Sequence, residues 1–167
     1  MSGETRPAKR AEKDVRSIDS IIAALYAGIC GPGDQPRDWD RWRRLFVPGA
    51  LLIPVEHGPN GEITINRFTV DEFIAWAVPQ FAQLQGFYER EIARHTDTYS
   101  HIVQVFSTYE SRHARNEKQP FRRGINSIQL LNDGHRWWIV TVFWHDESSD
   151  HPIPKEYLTG GSATAGP

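Results

Sequence analysis

Apolar residues recur along this chain in two rhythms, a helical one in the first half and a strand-like one in the second. Ile18, Ile21, Ile22, Leu25 and Ile29 fall on one stripe of an amphipathic helix, which Gly31-Pro32-Gly33 stops. In "RDWDRWRRLF" Trp39, Trp42 and Phe46 share a face and the arginines and aspartates take the other, predicting a shorter helix ended by Pro48-Gly49. "ALLIPVEH" and "EITINRF" read as two strands joined by a turn at Pro59-Asn60-Gly61. Thr69 with Glu72 makes a capping box ahead of "VDEFIAWAVPQFAQL", a third helix that Pro79 should kink or interrupt.

After Gly86 the pattern turns to strands rich in Val, Ile, Thr, Tyr, Phe and Trp, over about 87–97, 101–114, 121–131 and 136–145. "LLNDGHRW" is a hairpin signal, with Gly134 free to take the left-handed position. The order α-α-β-β-α-β-β-β-β, with its run of sequential strands, predicts an α+β fold built on a largely antiparallel sheet. On the last strand Trp137, Ile139, Thr141 and Phe143 share one parity and Trp138, Val140, Val142 and Trp144 the other. Both faces are apolar, so both need cover. The inside is expected to be core and pocket wall; the outside is expected to meet a second copy, making a homodimer.

Composition narrows the function classes. In 167 residues, 39% hydrophobic and 24% charged, one soluble domain is expected over residues 14–147, with a disordered arm at 1–13 and a C-terminal extension at 148–167, flexible at its end. A net charge of −2 gives no field for nucleic acid. No apolar run approaches a membrane span, and the single Cys30 has no internal disulfide partner. Together these predict a cytoplasmic protein without nucleic-acid or membrane partners. The basic loop Arg112–Arg123 reads as solvated, and no dinucleotide, phosphate-loop or nucleophile-elbow motif is present.

Three stretches, "WDRWRRLFVPGALLIP", "TVDEFIAWAVPQF" and "SIQLLNDGHRWWIVTVFW", resemble in content and order the nuclear-transport-factor-2-like superfamily, which includes SnoaL-type cyclases and ketosteroid isomerases. The resemblance implies a cone: a strongly curved, antiparallel or mixed sheet wrapped around three N-terminal helices, with a pocket at its open end and a dimer on its outer face. Ketosteroid isomerases place a carboxylate base at the end of the first strand, where this chain has Ile53-Pro54-Val55 with Glu56 just beyond, and an acid near Asn126. Neither Pro54 nor Asn126 titrates, so that mechanism does not carry over residue by residue.

The candidate chemical groups are therefore His101, Tyr109 and Asn126, with Trp42, Phe46, Glu56, Trp76, Trp137 and Phe143 expected around the ligand. In "HTDTYSH", His95, Asp97 and His101 share a parity, but a bend at Thr98-Tyr99-Ser100 scatters them and no metal is expected. The alternation in "VFSTYESRH" turns Ser107 and Tyr109 toward the pocket. The function expected is binding of a small apolar or aromatic molecule, with cofactor-free acid-base chemistry such as isomerisation, dehydration or hydration. A second expectation, drawn from the same resemblance, is a non-catalytic assembly subunit like the small subunit of aromatic-ring-hydroxylating dioxygenases, or a dimeric scaffold.

Overall fold

Ser17 caps the first long helix, its hydroxyl accepting from Ser20 N at 3.1 Å. The helix α1, Ile18–Ile29, buries Ile21, Ile22 and Leu25 of the predicted stripe. The computed structural model describes residues 12–160; most of the arm expected at 1–13 and the end of the tail lie outside them. From the first residues of the expected domain, Asp14 pairs with Arg41 at 2.6 Å and Val15 packs into the core.

The two-residue β1, Gly31–Pro32, follows, then α2, Trp39–Arg43. The predicted helix over "RDWDRWRRLF" is shorter than its apolar spacing suggests, because Phe46 already begins β2, Phe46–His57. Pro48-Gly49 lies inside this strand rather than ending a helix: Gly49 has φ of 81° and sits where the ladder with the last strand skips from Phe46 to Leu51.

β3, Ile63–Ile65, and β4, Phe68–Thr69, continue one register along β2, interrupted opposite Ile53 and Pro54. Proline has no N–H to give a ladder, so the predicted strand "EITINRF" divides there. The capping box forms as the spacing predicts, with Thr69 N donating to Glu72 at 2.8 Å and Glu72 N to Thr69 Oγ1 at 3.3 Å. The helix α3, Val70–Ala82, runs through Pro79.

Four long strands complete the sheet: β5 (Gly86–Tyr99), β6 (Ile102–Arg112), β7 (Arg122–Asn132) and β8 (Trp137–Asp146). They form consecutive antiparallel pairs, and β8 then pairs in parallel with β2, giving the order β1-β5-β6-β7-β8-β2-β3 with β4 also on β2. The result is a mixed, unclosed α+β sheet curved around the helices. Two bulges bend it. One leaves Ile92 unmatched on β5, between Glu91 and Ala93, and the other leaves Val140 unmatched on β8.

The second bulge corrects the parity expected for the tryptophan-rich strand. Ile139 faces the core, and after the extra residue Val142 and Trp144 face inward while Phe143 is 37% exposed on the outer face. The outside also has cover from the same chain. A segment after β8 folds back over it, with Ile153 buried, Thr108 Oγ1 donating to Tyr157 O and His95 Nε2 donating to Glu156 O at 2.8 Å. No described helix is long and apolar enough to cross a membrane.

Candidate functional site

Inside the cone lies a cavity of about 110 Å³, walled by residues from α1, α2, α3 and five strands. Its apolar side is aromatic. Trp42 is 2% exposed, with ring centroids 4.6 Å from Phe46 and 5.4 Å from Phe73, and its Nε1 donates to Leu25 O. Phe81 stacks on Phe87 at 4.8 Å, and Trp144 meets Phe73 edge to face. Trp76 and Arg122 are the exposed lining residues and mark where the cavity opens.

The opposite side is polar, and strand alternation puts it there. On β6, Ser107, Tyr109 and Ser111 point inward; on β5, Glu89 and Glu91 do; on β7, Asn126 does. Asn126 Nδ2 donates to the Tyr26 hydroxyl at 3.0 Å, and Tyr26 lies 2.6 Å from Ser107 Oγ. Ser107 in turn donates to Glu91, which also holds Arg94. Tyr109 donates to Asp146, which Arg122 approaches to 3.2 Å. Gly124 makes room for that phenol, since a β-carbon there would lie 2.4 Å from the Tyr109 oxygen.

Glu89 is the titratable centre of this polar end. Its Oε2 accepts from Ser111 at 2.8 Å, and the side chain lines the cavity while the wall packs around its carboxyl. Desolvation raises its pKa to about 7, assisted by the charge of Asp146 and opposed by Ser111, Arg122 and Asn126. Burial also raises both phenols above their ordinary value, Tyr109 further through Asp146, so both remain protonated at neutral pH.

Of the residues expected from the sequence, Tyr109, Asn126, Trp42 and Trp76 line this cavity together. Phe46 is buried behind Trp42, and Trp137 packs against the core beside Val15. Glu56 accepts from Asn66 at 2.9 Å on an exposed stretch of β2. His101 is exposed in the turn between β5 and β6, and His95 and Asp97 lie on the outer face. Among the described residues no group of three or more His, Cys, Asp or Glu is arranged to hold a metal ion.

Glu89 and Tyr26 were not expected. Glu89 sits in "GFYEREIAR", where charges occupy both parities and no apolar alternation shows which face is inward; the Phe87-x-Glu89-x-Glu91 spacing was the available signal. Tyr26 lies one residue beyond the apolar Leu25 of its helix stripe, a position that reads as ordinary core.

The sequence matches no protein-family model and no curated protein. Solved structures do match. A protein from Novosphingobium aromaticivorans classed as the beta subunit of an aromatic-ring-hydroxylating dioxygenase superposes with TM-score 0.59 at 15% identity, over 81% of this chain and 94% of that one. An NTF2-like protein of unknown function from Shewanella baltica gives 0.53 at 12% identity, over 88% and 100%. A Parabacteroides distasonis protein classed as a ketosteroid isomerase gives 0.53 at 10% identity, over 82% and 98%. At these identities the likeness speaks to architecture, and the cone around the cavity agrees with it: the chain has the nuclear-transport-factor-2-like fold.

Proposed function

We propose that the cone is a binding pocket for a small, largely apolar or aromatic molecule, and that Glu89 gives it cofactor-free acid-base chemistry. The observation that carries the reading is a cavity-facing carboxyl, Glu89, poised to exchange a proton near pH 7 among the oriented groups Tyr26, Tyr109 and Asn126. A general acid or base works best when its pKa matches the working pH, which an ordinary glutamate misses by more than two units. Isomerisation, dehydration and hydration each need one proton moved on or off a substrate held against an apolar wall. Tyr109 and Asn126 serve as orienting groups, and Trp42 and Trp76 as walls.

The test is a screen of small aromatic and alicyclic compounds by ligand-observed NMR, followed by proton-exchange assays on those that bind. Binding that disappears in Glu89→Gln or Asn126→Leu supports the reading; compounds that bind only elsewhere on the surface defeat it.

The second reading, a non-catalytic subunit, draws support from the size of the cavity, well below the roughly 300 Å³ of ordinary ligand pockets. The homodimer belongs to either reading. Ile102, Leu131 and Phe143 leave apolar surface exposed on the outer sheet face, where Ile102 and Leu131 border a groove of about 480 Å³, and the segment ending at Tyr157 covers a different part of that face. Light scattering on the purified chain would give a mass of two copies, and Phe143→Lys with Leu131→Lys would halve it.

A further inference from the structure

The direction of each hydroxyl proton decides what the cavity can accept. Ser107 has one O–H and gives it to Glu91, so in the 2.6 Å contact with Tyr26 the phenol must be the donor. The Tyr26 oxygen also receives Asn126 Nδ2. Tyr109 likewise gives its proton to Asp146. Both phenols therefore turn oxygen lone pairs, not protons, toward the cavity. A pocket built to polarise a carbonyl would need the reverse.

Charge follows the same sense. Among the described residues, Arg122 is the cation that faces Glu89 and Asp146, and Asp146 already engages it. The rest of the wall combines the aromatic rings of Trp42, Phe73, Phe81, Phe87 and Trp144 with aliphatic side chains of α1, β2 and β8. Aromatic walls closed by a carboxylate and acceptor oxygens form an environment that attracts cations and repels anions. The volume, about 110 Å³, is less than the ~150 Å³ that takes a benzene ring, so it encloses a compact head of few heavy atoms and leaves any aromatic or alicyclic part of a ligand at the opening beside Trp76.

We propose, building on the pocket reading above, that the polar end of this cavity is a cation site taking the ammonium head of a small organic amine between the aromatic walls and the Glu89 carboxylate. Any apolar tail leaves past Trp76, where the cavity opens. Binding requires Glu89 ionised, so it strengthens as pH rises through about 7 and expels the proton the empty pocket holds.

The experiment compares ethylammonium with its neutral counterpart ethanol by isothermal titration calorimetry on the full chain, at about pH 8 and about pH 6. The cation should bind at least ~10-fold tighter at the higher pH, with proton release at the lower. Glu89→Gln should abolish the preference, and Glu89→Asp, which keeps the charge, should retain it. If the alcohol binds as tightly as the cation, the cation assignment fails while the pocket reading stands. If neither binds, the cation assignment fails and the pocket reading is decided by the compound screen alone.

Discussion

A β-carbon on Gly28 would lie 2.2 Å from Cδ1 of Trp42, so the indole that walls the cavity also occupies the space a side chain on α1 would need. Alanine is a better helix former than glycine by ~1 kcal/mol, and on propensity alone Gly28→Ala should stabilise α1. Here the ring is held by its bond to Leu25 O and by Phe46 and Phe73, so it has little freedom to retreat. We expect Gly28→Ala to destabilise the fold by about 1–3 kcal/mol, the cost of overpacking. Urea unfolding measures it, and a midpoint at or above wild type would contradict this packing.

Glu89 makes stability depend on pH in a definite sense. Its folded pKa, about 7, lies above the ordinary 4.5, so the folded state holds a proton that the unfolded chain releases. The stabilisation is complete below about 4.5 and is lost as pH rises through about 7. Over that window the loss approaches about 3 kcal/mol at most. Glu89→Gln should remove this slope and be more stable than wild type in mild alkali. A wild-type stability profile flat from pH 5 to pH 8 would sink the assignment.

Three histidines meet at the rim where β2, β8 and the following segment converge. His57 Nε2 lies 2.8 Å from His145 Nε2, and the His151 ring is 5.1 Å from His57 and 5.4 Å from His145. Desolvation lowers the His145 pKa, His57 and His151 lower it further, and Asp146 opposes them. A depressed folded pKa means the unfolded chain protonates first, so stability held above about 6.5 is lost as pH falls below it. The double variant His57→Gln/His151→Gln should raise the His145 pKa toward its ordinary value, read from its imidazole NMR titration. An unchanged titration would show that the three rings do not interact.

The segment after β8 can be released without touching the cavity. The Tyr157 ring rests on His95 at 5.2 Å and Phe106 at 5.6 Å between centroids, and Ile153 N is anchored on Glu147 at 3.1 Å. Tyr157→Ala should cost about 1–3 kcal/mol and make amide exchange along β5 and β6 faster from the outer face. Unaltered exchange would mean the segment does not clasp the sheet.

The two helices with regular apolar stripes and the four long strands were legible in the sequence because each carries a period undisturbed over several residues. α3 even declared its first residue through Thr69 and Glu72. What period could not reveal were the irregularities: Val140 and Ile92, each an extra residue that flips every side chain beyond it, and Gly49, whose positive φ reshapes β2. Those irregularities determined the site. The Val140 bulge exchanged Phe143 for Trp144 as a cavity wall. Tyr109 and Asn126 were readable because they lie on unbroken stretches of β6 and β7, whereas Glu89 lies on a strand whose charges mask its faces.

The parallel ladder between β2 and β8 has a consequence for how the molecule is assembled. Leu52 and Val142 face each other in it although 90 positions separate them along the chain. Every hairpin from β5 to β8 can close locally, but the inner wall of the cone exists only once the final strand is seated beside an early one. During synthesis the aromatic residues of α2 and β2 must therefore wait, without their partner, until nearly the whole domain has left the ribosome. Such distant closure is slow to nucleate. It also means that a chain interrupted anywhere before β8 cannot complete the cavity wall, which needs Val142 and Trp144.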